Sequence, residues 1–123
     1  MILTFDFNSD TPLFMQLRNQ VVIAIGSGSL NPGDHLPTVR ALSDESGINT
    51  MTVSKAYQLL KQEGYITTER RGGAVVAPRK DMSQPSDKTV NNLKLCISEL
   101  RSTGLGLDGI LDLCTKIYKE ETK

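Results

Sequence analysis

Apolar residues in the centre of the chain recur at steps of three and four, which is the spacing of one helix face. Val39 and Leu42 share such a face in a short helix, and Thr38 stands where its side chain can accept an N–H group from the first turn. Gly47 is expected to end this helix, because glycine readily takes the left-handed backbone conformation. The pattern therefore predicts a short capped helix between Thr38 and Gly47.

A second helix is expected to follow at once, with Asn49 as its N-cap and Gly64 at its end. Its predicted buried stripe consists of Val53, Ala56, Tyr57 and Leu60. The opposite face is predicted to be exposed and consists of Thr50, Met51, Ser54, Lys55, Gln58, Lys61 and Gln62. The first four of these lie near the N-terminal end of the helix, which is the end that a recognition helix places in the major groove.

A β-hairpin is predicted next, with strands at Tyr65 to Glu69 and Ala74 to Ala77. Arg70-Arg71-Gly72-Gly73 forms the turn between them. Two arginines at a hairpin tip suit phosphates or a narrow minor groove, since a planar guanidinium can bond to two oxygens; a solvated turn is the alternative. Helix, turn, helix and hairpin in this order predict a winged helix-turn-helix, a fold that is mainly α with a small β-hairpin.

Before this motif, Ile2 to Phe7 alternate in polarity, which fits a short strand, an extended arm or a disordered segment. Thr11 is the expected N-cap of a first helix, with Pro12 at its first position. The apolar stripe of this helix consists of Leu13, Phe14, Leu17, Val21, Ala24 and Ile25, and the helix is expected to end at Gly26 to Gly28. His35 is placed in the loop that leads to the motif.

The chain after the hairpin is predicted to form a helical hairpin. We expect a winged helix-turn-helix domain over residues 1–77, a polar linker over 78–86 and a two-helix tail over 87–123. Ser86 or Asp87 would cap the first tail helix, and the second would run from about Leu107 to Glu120. A unit of about 35 residues is rarely stable alone, so the tail must pack on its own domain or on a second copy. The residues expected at such a dimer contact are Leu93, Ile97, Leu100, Ile110, Leu113 and Ile117.

The anchors Pro32-Gly33-Asp34, Leu36-Pro37-Thr38-Val39-Arg40 and Thr52-Val53-Ser54-Lys55-Ala56-Tyr57 occur in the order found in one family. From about residue 10 to 77, the chain resembles the DNA-binding domain of the GntR family of bacterial transcription regulators. Its short tail resembles the YtrA-type branch, which implies two dimerising helices in place of an effector domain. The resemblance implies that DNA is contacted by Arg40, Asn49, Thr50, Met51, Thr52, Ser54, Lys55 and the wing turn with Arg70, Arg71 and Gly72.

Two positions depart from the family pattern. Many members carry arginine where Thr50 stands, so base contacts made by that arginine do not carry over to this chain. The wing usually reads Arg-Gly-x-Gly, whereas Arg71 here takes the place of the first glycine. We therefore expect a wing at this position but not the family's usual turn conformation.

Charge does not by itself point to nucleic acid, because the net charge of the 123 residues is zero. Residues 1–77 hold six Lys or Arg against seven Asp or Glu, but Arg40, Lys55, Arg70 and Arg71 would share one face. We therefore expect modest non-specific affinity for DNA and a shallow dependence on salt. The sequence has no membrane-length apolar run and no signal peptide, so a cytoplasmic protein that does not bind membranes is expected.

Catalytic and metal sites are not expected. His35 is isolated, there is no Ser/His/Asp set, no metal-ligand spacing and no phosphate loop, and no cofactor is predicted. Cys96 and Cys114 are expected to be free, buried thiols, with a redox switch as the weaker alternative.

Two functions remain open after these exclusions. The favoured one is a sequence-specific regulator, in the simplest case a repressor, that binds a palindromic site in double-stranded DNA as a homodimer. Thr50, Met51, Ser54 and Lys55 would then face base edges, while Thr38, Arg40, Thr52 and the wing arginines would bind phosphates. The alternative is a winged helix used only for protein interaction. Resemblance to the YtrA-type branch implies control of an ABC-transporter operon, and any small-molecule effector would bind between subunits or between tail and domain.

Overall fold

The computed structural model of the chain describes residues 3–69, 73–78 and 84–121. Its elements are α1 (Leu13–Gly26), β1 (His35–Leu36), α2 (Val39–Ser46), α3 (Thr50–Gln62), β2 (Ile66–Thr68), β3 (Ala74–Val76), α4 (Asp87–Ser102) and α5 (Leu107–Glu121). The chain divides into two compact units, Met1–Arg79 and Lys80–Lys123. The predicted fold class, mainly α with a small β element, is confirmed.

The core of the first unit is built around α3. All four residues of the predicted stripe on α3 are buried, and they pack with Leu17 and Val21 of α1, Leu42 of α2, and Ile66 and Ala74 of the sheet. Burial of this many apolar side chains is the main stabilising contribution to a unit of this size. Because one face of α3 is fixed in the core, its other face must be exposed.

The sheet has three antiparallel strands in the order β1-β3-β2, not the two of a simple hairpin. The prediction that His35 lies in a loop is wrong, because His35 and Leu36 pair with Val75 and Ala74. The pairing extends past β1, since the Gly33 N–H donates to the Val76 carbonyl and the Val76 N–H donates to the Asp34 carbonyl, each at 2.9 Å. β3 is thus hydrogen-bonded along both edges.

The ends of α2 and α3 form as predicted. The Thr38 hydroxyl accepts from the Ala41 N–H at 3.1 Å, and the Asn49 side chain accepts from the Met51 N–H at 2.7 Å. Gly47 has a φ of 74°, which is the left-handed conformation that ends α2.

The predicted cap of α1 is wrong. Pro12, not Thr11, takes the N-cap position with an extended ψ of 148°, and no side chain caps the helix. The Gln16 side chain instead donates from Nε2 to the Thr11 carbonyl at 2.8 Å.

The segment before α1 is an extended arm bound to two glutamines of that helix. The Thr4 N–H donates to Gln20 Oε1 at 2.9 Å, and Gln20 Nε2 donates to the Thr4 carbonyl at 2.7 Å. Gln16 makes the same pair of bonds with Asp6, at 2.8 and 2.9 Å. Leu3 and Phe5 pack against the core, so of the alternatives predicted for this segment the extended arm is confirmed.

The second unit consists of α4 and α5. Ser86 caps α4 by accepting from the Thr89 N–H at 3.2 Å, and Gly104, with a φ of 94°, follows the helix. The prediction that Cys96 and Cys114 are buried is wrong, because both are free and exposed. Two helices alone cannot enclose every residue of their apolar bands. No helix in the described part of the chain is both long and apolar enough to cross a membrane.

Candidate nucleic-acid interface

The N-terminal half of α3 presents the predicted polar surface. Thr50, Met51 and Lys55 are exposed, with Met51 at 78%, while Thr52 and Ser54 are half-buried. A shallow groove of about 570 Å³ lies along this part of α3. It is lined by Phe14 of α1 and by Met51, Thr52, Ser54, Lys55 and Gln58. Side chains of α3 and one residue of α1 therefore form a continuous surface.

A buried hydroxyl ties α3 to the start of α2. Tyr57 Oη donates to the Pro37 carbonyl at 2.8 Å, and burial raises the pKa of Tyr57 to about 12. Pro37 directly precedes Thr38, the cap of α2, so this bond sets where that helix begins relative to α3. Thr38 and Arg40 are both exposed at this end of α2.

A salt bridge between α1 and the end of α3 is the second fixed point. Arg18 Nε and Nη2 donate to the two carboxylate oxygens of Glu63, each at 2.9 Å, and the guanidinium lies 5.7 Å from the Tyr65 ring centre. Hydrogen bonding to the Glu63 carboxylate raises the pKa of Arg18, with burial opposing it. Because the charge of Arg18 is compensated inside the domain, we assign it a structural role.

Arg40 and Lys55 differ from Arg18 in having uncompensated charges. Neither forms an ion pair with any residue in the described ranges. The Lys55 ammonium lies 4.1 Å from the centre of the Phe14 ring. Arg40 at the start of α2 and Lys55 in the N-terminal half of α3 are thus exposed cations that are available to an anionic ligand, although the net charge of the chain is zero.

The wing is described only at its base. The Glu69 N–H donates to the Gly73 carbonyl at 2.9 Å, which closes the end of the hairpin, and His35 Nδ1 lies 4.0 Å from Glu69 Oε2. Arg70, Arg71 and Gly72, the predicted contacts of the wing, lie outside the described residues. His35 is exposed, and no group of residues in the described ranges could hold a metal ion.

The predicted dimer residues of the second unit differ in exposure. Ile110 is buried within the single chain, Ile97, Leu100 and Leu113 are half-buried, and Leu93 and Ile117 are 53% and 49% exposed. An opening of about 580 Å³ between α4 and α5 is lined mainly by apolar side chains, including Leu93, Ile97 and Leu111. The other exposed large apolar residues of this unit, which were not predicted as dimer contacts, are Leu95, Leu105, Leu107, Leu111 and Tyr118.

A family model for bacterial regulatory proteins, the gntR family, matches residues 15–76. The chain belongs to the GntR family. The match ends at the last residue of β3 and includes every element of the first unit except the N-terminal arm and the first two residues of α1.

Two regulators illustrate the likeness of this GntR-family chain to its relatives. HTH-type transcriptional regulator Rv1152 of Mycobacterium tuberculosis is 39% identical over 75 residues, 61% of this chain and 62% of the relative. The HTH-type transcriptional repressor YtrA of Bacillus subtilis is 38% identical over 76 residues, 62% of this chain and 58% of the relative. The chain thus spans less than two thirds of both relatives. The family and these relatives are regulators rather than enzymes, in agreement with the absence of a predicted active site.

Solved structures extend the likeness over the whole chain. A transcriptional antiterminator from Listeria monocytogenes has a TM-score of 0.89 at 25% identity, covering 100% of this chain and 94% of that one. YtrA from Sulfolobus acidocaldarius, a GntR-family transcription factor, has a TM-score of 0.59 at 32% identity, covering 96% and 97%. These matches support the predicted resemblance to the YtrA-type branch. The DNA-binding domain of AraR with operator ORX1 shares the fold, with a TM-score of 0.55 at 24% identity, covering 63% and 96%.

Proposed function

We propose that this GntR-family protein is a transcription regulator that binds double-stranded DNA sequence-specifically through α3. The observation that carries the proposal is the first half of α3, which is capped, polar and exposed. Lys55 on this helix and Arg40 on α2 form no ion pair among the described residues. A helix of this kind fits the major groove, where its N-terminal residues reach base edges. AraR, a protein with the same fold, has been solved with its operator, which supports DNA as the ligand class.

The proposed contacts fall into two groups. Thr50, Met51, Ser54 and Lys55 face base edges, where hydroxyls and an ammonium can hydrogen-bond and a thioether side chain can pack against a thymine methyl. Phosphates are contacted by Thr38, Arg40, Asn49, Thr52, Arg70, Arg71 and Gly72, which set the position of the domain on the duplex. Asn49 and Thr38 use their oxygens as caps, but the Asn49 amide and the Thr38 hydroxyl hydrogen can still be donated.

We further propose that the tail, residues 87–123 after a linker at 78–86, joins two copies. α4 has no buried residue, and Leu93, Leu111 and Ile117 are about half exposed. Helices with uncovered apolar faces are stabilised when a second copy covers them, and a two-fold dimer presents two α3 helices to a palindromic site. Leu93, Ile97, Leu100, Ile110, Leu113 and Ile117 are the proposed contacts, with Ile110 acting through the packing of α5.

The regulatory direction that we propose is repression, by occupation of a promoter. The relative YtrA of Bacillus subtilis is a repressor, and the YtrA-type resemblance is the basis for proposing an ABC-transporter operon as the target. Any effector would act by changing the distance between the two domains of the dimer.

Selection from a randomised duplex library, followed by footprinting on the region upstream of the gene, tests the DNA proposal. We expect enrichment of a palindrome and a protected site that contains it. Arg40→Ala should weaken binding to all duplexes about equally, whereas Thr50→Ala or Ser54→Ala should change the base sequence that is selected. If the folded protein enriches no duplex in low salt, the proposal is wrong and the protein-interaction alternative gains support.

Sedimentation of the full chain tests the dimer. Leu93→Glu should produce monomers, because it places a carboxylate in the proposed contact. Asn91→Glu is the matched control, since two residues along a helix correspond to a rotation of about 200° and place the charge on the other side of α4. Equal dimer fractions for both variants would exclude this face of α4.

A further inference from the structure

The aromatic ring of Phe14, on the first turn of α1, lies beside the exposed half of α3. The Lys55 ammonium is 4.1 Å from the centre of this ring, well within the range of an attractive cation–π contact. Both residues line the shallow groove along α3. In the described part of the chain no carboxylate forms an ion pair with Lys55, so the ring is the group that holds its charged end.

We propose that Phe14 is a positioning residue for DNA binding, which acts by holding the Lys55 ammonium in place before DNA arrives. This inference rests on the proposed function and adds a residue of α1 to the interface. The helix-turn-helix itself consists of α2 and α3 and does not include α1. A lysine that is free in solution loses much side-chain entropy when it is fixed against a ligand. Contact with the ring removes part of that loss in advance.

The geometry leaves Lys55 able to bind an anion. An ammonium has three N–H donors, and a ring on one side leaves donors facing outwards. The groove is open and Lys55 is exposed, so a phosphate or a guanine edge can approach from the side opposite the ring. An exposed cation–π contact corresponds to an effect of about two- to fivefold on affinity per half-site.

A double-mutant cycle on the most enriched duplex from the library selection measures this effect. Phe14→Leu keeps an apolar side chain against the core and should weaken binding about two- to fivefold per half-site. The same change in a Lys55→Gln background should have almost no effect, because the cation is gone. Lys55→Gln should also change the base sequence that is selected, because Lys55 faces base edges, whereas Phe14→Leu should lower the affinity and leave the selected sequence unchanged.

Equal losses from Phe14→Leu in both backgrounds would mean that the ring only supports packing, and the proposal would be wrong. Tighter binding by Phe14→Leu would also overturn it, since the ring would then be withdrawing the ammonium from DNA. Urea unfolding of each variant shows whether it is folded under the binding conditions.

NMR of the free full-length protein tests the contact without DNA. The methylene protons next to the Lys55 ammonium should be shifted upfield by the ring in the wild type and in Phe14→Tyr, but not in Phe14→Leu. Identical shifts in all three proteins would refute the inference. A wild type that shows the shift but enriches no duplex would instead refute the proposed function on which the inference rests.

Discussion

The hydroxyl of Tyr57 offers the sharpest test of how α2 and α3 are held together. Tyr57→Phe removes one oxygen and leaves the ring, which is buried in the core with only 5% of the residue exposed. The lost bond is the 2.8 Å donation to the Pro37 carbonyl at the entry to α2. A net intramolecular hydrogen bond contributes about 0.5–1.5 kcal/mol. Because Pro37 is half-buried and water can partly replace the hydroxyl, we expect a loss of about 1 kcal/mol at pH 7.

The pH dependence makes this prediction more specific. Burial raises the pKa of Tyr57 from 10.0 to about 12 in the folded state. A group with a raised folded pKa contributes its full stabilisation below the unfolded pKa and loses it as the pH rises through the folded pKa. At about 1.4 kcal/mol per pKa unit, the wild type should lose about 2–3 kcal/mol between pH 10 and 12 through this residue alone. The Phe variant lacks this loss and should become the more stable protein within that interval.

Urea unfolding followed by far-UV circular dichroism, at pH 7 and at steps from 9 to 11.5, measures both effects. Other lysines and tyrosines titrate in both proteins, so their contributions cancel in the difference. Tyr65→Phe is the matched control at pH 7 and should change stability by less than about 0.5 kcal/mol, because the Tyr65 hydroxyl makes no hydrogen bond in the described chain. A stability difference that stays constant from pH 9 to 11.5 would refute the reasoning.

Three further substitutions test the local structure by urea unfolding. Gly47→Ala should lower the free energy of unfolding by about 1 kcal/mol, because Gly47 has a φ of 74°. The control is Gly26→Ala, which should be neutral or stabilising, because Gly26 lies at the helical end of α1 with open space around it. Equal effects of the two substitutions would contradict the role assigned to Gly47. Asn49→Ala should lower the free energy of unfolding by about 1 kcal/mol through loss of the α3 cap, whereas Asn49→Asp should keep most of the stabilisation that the cap provides. An unchanged urea midpoint for Asn49→Ala would contradict the capping role. Arg18→Met should lower the free energy of unfolding by about 2 kcal/mol, because Glu63 loses the two charged hydrogen bonds that Arg18 donates to it. Adding Glu63→Gln to this variant should restore part of the loss. If the effects of the two single substitutions were fully additive in the double variant, the pairing would be contradicted.

The helices and the exposed face of α3 were predictable because their signals are local. Caps such as Thr38 and Asn49 lie next to the residues that they serve, and the spacing of Val53, Ala56 and Tyr57 sets both the buried and the exposed face. The GntR resemblance rests on the same short-range anchors. Sequence reasoning therefore found the exposed face of α3, which is the proposed recognition surface, without knowledge of the tertiary structure.

Features that depend on distant partners were missed. β1 has only two residues, too few to show alternation, and it exists because β3 has a free edge to bind. Phe14 was predicted only as part of the α1 stripe, since nothing near it in sequence indicates the contact with Lys55. Cys96 and Cys114 are exposed because α4 and α5 cover only part of each other's surface. The apolar pattern of a helix does not predict how much of its surface the other helix covers.

The two glutamines that bind the N-terminal arm behave as the edge of a sheet would. Each side-chain amide offers one donor and one acceptor, as a peptide group does, and residues four apart on a helix are separated by about 6 Å. Alternate residues of an extended chain are separated by about 6.6 Å, so Gln16 and Gln20 match the repeat of Thr4 and Asp6. These side-chain bonds resemble the hydrogen bonds between two β-strands, and they involve only backbone atoms of Thr4 and Asp6. The side chain of Thr4 is thus free to vary, and that of Asp6 is used only to accept from the Asn8 N–H at 3.0 Å. Glutamate at position 16 or 20 would remove the donor from the pair at that position.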